Sequence, residues 1–199
     1  MRIDAVPARI LLVMILLTSA CRRGASAPIV PDLGELVGSG ESLMMLRRVP
    51  STPQPGSPGA LGAEHELLIA VVRGASGKVE LRVGEQRAQG LVVAHASSAG
   101  DEFRNLAVED VNGDGRPEVV SFWTGGQLAV VVVLGRNPAG AWAVLLQDAG
   151  QVVEERHLPD GTLSFWVTSR TYEEESQQPP VYQTTVFRWD GSRFSPVPS

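Results

Sequence analysis

Short apolar runs alternate with turn residues over the last two thirds of the chain. The runs are rich in valine, leucine and aromatic residues, and glycine, aspartate or asparagine often stands between them. This composition is typical of β-strands, and no segment there has the sustained period and caps of a helix. The predicted strands are 67–72, 79–83, 91–95, 119–123, 128–134, 142–146, 163–168, 182–189 and 194–197.

The predicted strands fall into three groups that resemble copies of one unit. Ser121-Phe122-Trp123 recurs 43 residues later as Ser164-Phe165-Trp166, and an Asp-Gly pair precedes each string. A period of about 45 residues with three or four strands is the spacing of β-propeller blades. The sequence therefore predicts an all-β fold of about three blade-like antiparallel units, partially propeller-like, with a sandwich or a barrel as the alternative.

The first 20 residues have the pattern of an export signal. Arg2 and Arg9 precede the apolar run 10–17, and the small residues 18–20 lead to Cys21. The run is too short for a transmembrane helix, which needs about 20 apolar residues. The closing Leu-Thr-Ser-Ala-Cys resembles the lipobox of bacterial lipoproteins, with Thr18 as a departure from the commonest pattern. The resemblance implies cleavage before Cys21, acylation of its sulfur and new N-terminus, and a membrane anchor.

Cys21 is the only cysteine of the chain, so it cannot belong to an internal disulfide. The alternative to lipidation is an ordinary signal peptide whose cysteine is incidental. Arg22, rather than aspartate, follows the cysteine. By resemblance to the sorting rule of bacteria with two membranes, this residue favours the outer membrane over the inner one.

Residues 21–63 are rich in proline, glycine and serine, and they show no hydrophobic period. This composition predicts a tether that either lifts the domain off the membrane or forms a tail without a role. The apolar residues 43–46 are compatible with a short helical turn, but that turn lacks caps. The β domain is predicted to occupy residues 64–199.

The net charge of the chain restricts the classes of molecule that we expect it to bind. The formal net charge is −5, and it is −6 without residues 1–20, which hold two arginines and one aspartate. No basic run offsets this acidity. Nucleic acid and anionic lipid are therefore disfavoured as the main partner.

The loop 110–118 is the most informative stretch for function. Calcium takes six to eight oxygen ligands at about 2.3–2.6 Å, and a tight loop with alternate side chains turned inward supplies several of them. Gly115 would allow the positive φ that such a loop needs, and the carbonyl of Arg116 would add a backbone oxygen. Oxygen-bearing side chains stand at loop positions one, three, five and nine: Asp110, Asn112, Asp114 and Glu118.

The loop is not an EF-hand, because Ser121 stands where that motif needs glutamate and a strand follows. The nine-residue pattern between strands resembles the calcium loops of FG-GAP/VCBS repeats, which occur in integrin α-chain propellers and many bacterial surface proteins. Trp189-Asp190-Gly191 with Phe194 is similar to the terminal strand and turn of such repeats. The resemblance implies one calcium ion, with these ligands: Asp110, Asn112, Asp114, Arg116 (backbone) and Glu118.

Two departures separate the chain from that family. Glu118 stands where aspartate is usual, and the Phe-Gly and Gly-Ala-Pro signatures are absent. The Asp160 turn lacks the matching ligands, so only one loop is intact. The alternative interpretation is an Asn112-Gly113 hairpin turn with solvated carboxylates.

No enzyme motif is present. The chain lacks a nucleophile elbow, a phosphate loop and a dinucleotide fingerprint. His65-Glu66 begins like a zinc-protease helix, but Ile69 stands where the second histidine must be, so a strand start is predicted. The glutamates 173–175 are predicted to lie in a solvated hairpin loop.

We therefore expect a non-enzymatic, lipid-anchored calcium-binding module of the cell envelope that engages a protein partner. The alternative is a carbohydrate-binding module in which exposed tryptophans stack on sugar rings. Trp123 and Trp166 lie in apolar runs and are predicted to pack in the core or an interface.

Overall fold

Twelve β-strands and one short 3-10 helix, Leu33–Glu35, make up the described part of the chain. The computed structural model describes residues 33–51, 65–87, 90–97, 99–171 and 180–198. The predicted signal, Cys21, and the runs 52–64 and 172–179 lie outside these residues. The strands are β1 (Ser42–Ser51), β2 (His65–Arg73), β3 (Val79–Arg87), β4 (Gly90–Ser97), β5 (Glu102–Glu109), β6 (Glu118–Gly125), β7 (Leu128–Arg136), β8 (Trp142–Gly150), β9 (Val152–His157), β10 (Leu163–Thr171), β11 (Val181–Trp189) and β12 (Phe194–Pro196).

The strands form three sheets, each built from four consecutive antiparallel strands. The first sheet is β1–β4, the second is β5–β8 and the third is β9–β12. The predicted all-β fold of three blade-like units is confirmed. No helix within the described residues is long and apolar enough to cross a membrane.

The first and second sheets repeat each other down to their irregularities. The pairing of the first two strands starts at Ser42 with Arg73 in one sheet and at Glu102 with Thr124 in the other. One residue is then skipped at the same place in each first strand, Met44 and Arg104. A second β-bulge falls at corresponding places in the fourth strands β4 and β8. Bulges are positioned features of a sheet, so their match establishes a structural repeat.

The repeat does not follow the Ser-Phe-Trp strings. The third sheet starts its pairing at Val152 with Thr168, which makes Thr168 the counterpart of Thr124, 44 residues earlier. The predicted offset of 43 is therefore wrong by one residue. In a strand, one residue exchanges the two faces. In the first string it is therefore the tryptophan, Trp123, that packs between the first and second sheets. In the second string it is the phenylalanine, Phe165, that packs between the second and third sheets.

The second sheet is buried on both faces. Val119 of β6 and Val130, Val132 of β7 belong to the core shared with the first sheet. Their neighbours Val120 and Val131 belong to the core shared with the third sheet. Two-sided burial explains the continuous apolar run of β7, because neither face of that strand meets water.

The two outer faces of the stack differ. The free face of the first sheet is covered by the N-terminal segment, with Leu36 fully buried against Leu68 and Leu91. Arg82 secures that segment by donating to the Leu36 carbonyl at 2.8 Å and to Glu41 at 2.6 Å.

The free face of the third sheet is polar. Ser164 and Arg188 occupy the positions held by Val120 and Val133 in the second sheet. Trp166 lies on this face under the guanidinium of Arg156, 3.8 Å from its ring centroid.

The folded part begins earlier than the sequence predicts. Strand β1 lies within the range assigned to the tether, and its residues 43–46 are strand rather than the helical turn considered there. Pairing with β2 explains the difference, since edge-strand structure comes from the neighbour and not from local apolar period. The described elements belong to one compact unit, Pro31–Ser199.

The turn between β11 and β12 is held by the carboxylate of Asp190. One oxygen accepts from the backbone N–H groups of Ser192 at 2.8 Å and Arg193 at 3.0 Å. The other accepts from the Ser195 hydroxyl. These bonds hold the pKa of Asp190 well below its usual range, with the Ser195 hydroxyl as the largest cause. The turn places the ring of Phe194 against the ring of Phe165, with ring centroids 5.1 Å apart.

We expect Asp190→Asn to lower the melting temperature near neutral pH, because an amide cannot accept all of these bonds. A depressed carboxyl pKa means that the folded state binds fewer protons than the unfolded chain, so wild-type stability falls as pH drops below about 4. The loss of melting temperature between about pH 7 and about pH 3 should be smaller in the variant than in the wild type. Glu109→Gln, outside this turn, is the control, and equal acid sensitivity in Asp190→Asn would contradict the assignment.

Candidate calcium loop

The loop 110–118 joins β5 to β6 and lies at the seam between the second and third sheets. Val111 is fully buried in the core that these sheets share. Its carbonyl accepts a hydrogen bond from the backbone N–H of Leu163, at the start of β10, at 2.9 Å. The conformation of the loop is therefore tied to the docking of the third sheet.

The loop winds around the carboxylate of Asp110. One oxygen accepts from the backbone N–H groups of Gly113 at 2.7 Å and Asp114 at 3.2 Å. The other accepts from the N–H of Gly115 at 2.8 Å. Gly115 has φ of +80°, the left-handed conformation predicted for it. The first predicted ligand thus organises the backbone of the whole loop.

Asn112 and Asp114 each form a local turn with their own backbone. The Asn112 side-chain oxygen accepts from the N–H of Asp114 at 2.9 Å, and an Asp114 oxygen accepts from the N–H of Arg116 at 2.8 Å. Asn112 is only 6% exposed, and its amide nitrogen has no hydrogen-bond partner within the described residues. A buried amide donor in this state is energetically costly.

Glu118 is the most unusual residue of the loop. Its side chain is 1% exposed, and one oxygen accepts from the N–H of Val111 at 3.1 Å. The pKa of Glu118 is raised to about 8, mainly because burial disfavours the charged form. The Val111 hydrogen bond opposes the shift, while the charges of Asp114 and Asp110 add to it. A cation beside these carboxylates would favour the ionised form instead.

Space for Glu118 comes from a glycine in the neighbouring sheet strand. A Cβ atom at Gly135 of β7 would stand 2.6 Å from Glu118 Cγ and 2.5 Å from Leu145 Cδ1. Such distances are not tolerated between carbon atoms, so the buried carboxyl depends on the absence of a side chain at position 135.

Five predicted ligands therefore lie on one loop, but their carboxylates point to backbone amides. Asp110 and Asp114 accept from loop N–H groups, and Glu118 accepts from Val111. Among the described residues, no group of three or more histidine, cysteine, aspartate or glutamate side chains is arranged to hold a metal ion. The loop provides the ligand types and the enclosure, in an arrangement closed by its own hydrogen bonds.

The corresponding turn of the third sheet is short and carries one carboxylate. Asp160 accepts from the backbone N–H of Thr162 at 3.0 Å and from its hydroxyl at 2.6 Å. Leu158 and Thr162 close the turn through their backbone at 2.8 Å. This turn resembles the Asp114 turn without the remaining ligands, which makes it a natural control.

The four tryptophans are buried or partly buried. Trp123 is 1% exposed and donates to Ser121 at 2.9 Å, as predicted for a core residue. Trp142, Trp166 and Trp189 are partly buried, and Trp166 belongs to none of the three apolar cores, so its predicted place in the core is wrong. His65 begins β2, as the sequence predicts, and the glutamates 173–175 lie outside the described residues.

Sequence reasoning missed Val111 and Gly135, which position the loop without being ligands. Val111 stands between two predicted ligands, but an apolar side chain is not marked as part of a site, and Gly135 lies in an apolar strand. The one available signal is that Gly135 ends the apolar run of β7.

Comparison with known proteins adds no identification. No protein-family model, curated protein or solved structure matches the chain. The resemblance of the loop to FG-GAP/VCBS repeats stays a prediction based on its nine residues.

We expect Gly135→Ala to cost about 1–3 kcal/mol of unfolding free energy, because the new methyl group overlaps Glu118 and Leu145. Gly125→Ala is the matched control, since its Cβ would meet Val130 Cγ2 at an ordinary 3.7 Å. Chemical denaturation of both variants measures the difference. Equal stability of the two variants would show that the packing around Glu118 is not tight.

Proposed function

We propose that the loop 110–118 binds one calcium ion and that the protein is a calcium-stabilised, non-enzymatic binding module of the cell envelope. The observation that carries the proposal is the carboxyl of Glu118, which is 1% exposed at the end of a loop that also holds Asp110, Asn112 and Asp114. A cation beside the three carboxylates would favour the ionised form of Glu118 against burial and against the charges of Asp114 and Asp110.

The donor set fits calcium better than other metals. It consists of carboxylate, amide and carbonyl oxygens, which are the ligands of hard cations, and it contains no histidine or cysteine. Asp110, Asn112, Asp114, Glu118 and the Arg116 carbonyl would hold the ion.

The position of the loop suggests what the ion does. Val111 and Leu163 join the loop to the third sheet, so fixing the loop also fixes the seam between two sheets. Calcium would act as a structural ion and take no part in a reaction. The absence of enzyme motifs from the sequence supports this structural role.

The proposed location is the outside of the cytoplasm, through an export signal ending before Cys21 and a lipid on that cysteine. Calcium is plentiful in that compartment, which suits a loop of this donor chemistry. The outer membrane is the proposed site because Arg22 follows the cysteine. A protein is the proposed partner, and a glycan is less favoured because the four tryptophans are all at least partly buried.

Isothermal titration of the purified protein with calcium should show one binding site. Asp114→Ala should abolish the binding heat, because it removes a charged ligand, whereas Asp160→Ala should leave it unchanged. Calcium should also raise the melting temperature of the wild type by mass action, but not that of Asp114→Ala. Absence of binding heat in the wild type would refute the calcium site.

Lipid attachment is tested by replacing the cysteine. In a bacterial host, Cys21→Ser should shift the protein from the detergent phase to the aqueous phase in Triton X-114 partition, because acyl chains supply about 0.8 kcal/mol per buried methylene. Ser26→Thr, which lies downstream of the lipobox and keeps Cys21, is the control. Equal partition of Cys21→Ser and wild type would show that the cysteine is incidental.

A further inference from the structure

Among the described residues, one strand edge in the third sheet has no pairing partner over most of its length. In the first and second sheets the fourth strand follows nearly the whole third strand, as β4 does with β3 and β8 with β7. In the third sheet, β12 pairs only with residues 187–189 of β11, and Val197 adds one bond to the Val186 carbonyl. Within the described residues, no strand pairs with 181–185 on that side.

The open stretch presents unpaired backbone groups. Val186 directs its carbonyl away from β10, toward Val197. In an antiparallel strand alternate residues point the same way, so Tyr182 and Thr184 also turn their N–H and C=O groups outward. The Val181 carbonyl faces β10, where it accepts from the Thr171 hydroxyl at 3.0 Å. The edge therefore offers two complete donor and acceptor pairs.

The composition of this edge favours pairing. Residues 181–186 read Val-Tyr-Gln-Thr-Thr-Val, with no charge and no proline, and Val181 and Tyr182 are 57% and 59% exposed. Natural edge strands are normally protected by charge, proline or bulges. The other described edges have such protection: bulges in β1, β4, β5 and β8, charged residues in β9, and Pro196 in β12.

We propose that β11 pairs antiparallel with β11 of a second copy of this chain, around a twofold axis at Gln183. In this register Tyr182 of each copy faces Thr184 of the other, and the outward groups of both residues form four backbone hydrogen bonds. Val181 faces Thr185, and Gln183 faces its own copy. Because the segment carries no charge, two copies of it can pair without bringing like charges together. We therefore choose a second copy of the chain as the partner of this edge.

The dimer joins the two third sheets into one continuous sheet across the axis. The contact is one strand wide, so it belongs to the small, concentration-dependent interfaces. It is separate from the calcium loop, since 110–118 connects β5 to β6 of the second sheet whereas 181–186 belongs to β11 of the third. Dimerisation should therefore persist in Asp114→Ala.

The test uses the residue on the axis. Sedimentation equilibrium of the purified wild-type protein should show a monomer–dimer equilibrium. Gln183→Lys and Gln183→Glu, each alone, should weaken dimerisation by at least about tenfold, because like charges meet directly across the axis. An equimolar mixture of the two variants should restore the dimer, since a lysine then faces a glutamate.

Val152→Lys, on the other edge of the same sheet, is the matched control and should dimerise like the wild type. Circular dichroism and melting temperatures establish that every variant is folded. A wild-type protein that is monomeric up to near-millimolar concentration would overturn the proposal. So would a dimer that survives Gln183→Lys, or a mixture that fails to recover it.

Discussion

Burial of the second sheet on both faces is the constraint on which the rest of the structure depends. Val119 and Val120 are consecutive residues of β6, yet each is fully buried, because one faces the first sheet and the other faces the third. Each such side chain contributes about 1.5–3 kcal/mol when removed from water. The inner faces of the two outer sheets pack only against this middle sheet, so neither face could be buried without it.

The middle sheet also explains which strands the sequence could predict. Strands β6 and β7 have apolar residues on both faces, so their runs stand out in the sequence. The first strands β1, β5 and β9 were not predicted, because each lies at an edge and keeps many polar residues. The Ser-Phe-Trp similarity gave the right number of units but the wrong register, since a local string does not record which face meets a neighbouring sheet.

Some features of the candidate site depend on residues close together in the sequence, and others depend on residues far apart in it. The spacing of Asp110, Asn112 and Asp114 is local, and the sequence was sufficient to place them on one turn around Gly115. The burial of Glu118 is not local, because it depends on Gly135 in β7, the strand that pairs with β6. The attachment of Val111 to Leu163 joins residues still further apart in sequence. The candidate oxygen ligands of the loop could therefore be predicted from the sequence, whereas the burial of the loop could not.

The polar face of the third sheet limits the length of the array. A stack of repeats grows when the exposed face of its last unit can bury apolar surface against another unit. Ser164 and Arg188 stand where the second sheet has valines, so a fourth sheet docked there would bury an arginine without a matching acceptor. At the opposite end, Leu36 already occupies the face that a preceding sheet would need. The side chains on the two outer faces thus limit the stack to the three described sheets. Adding a unit by duplication would first require substitutions on both of these faces.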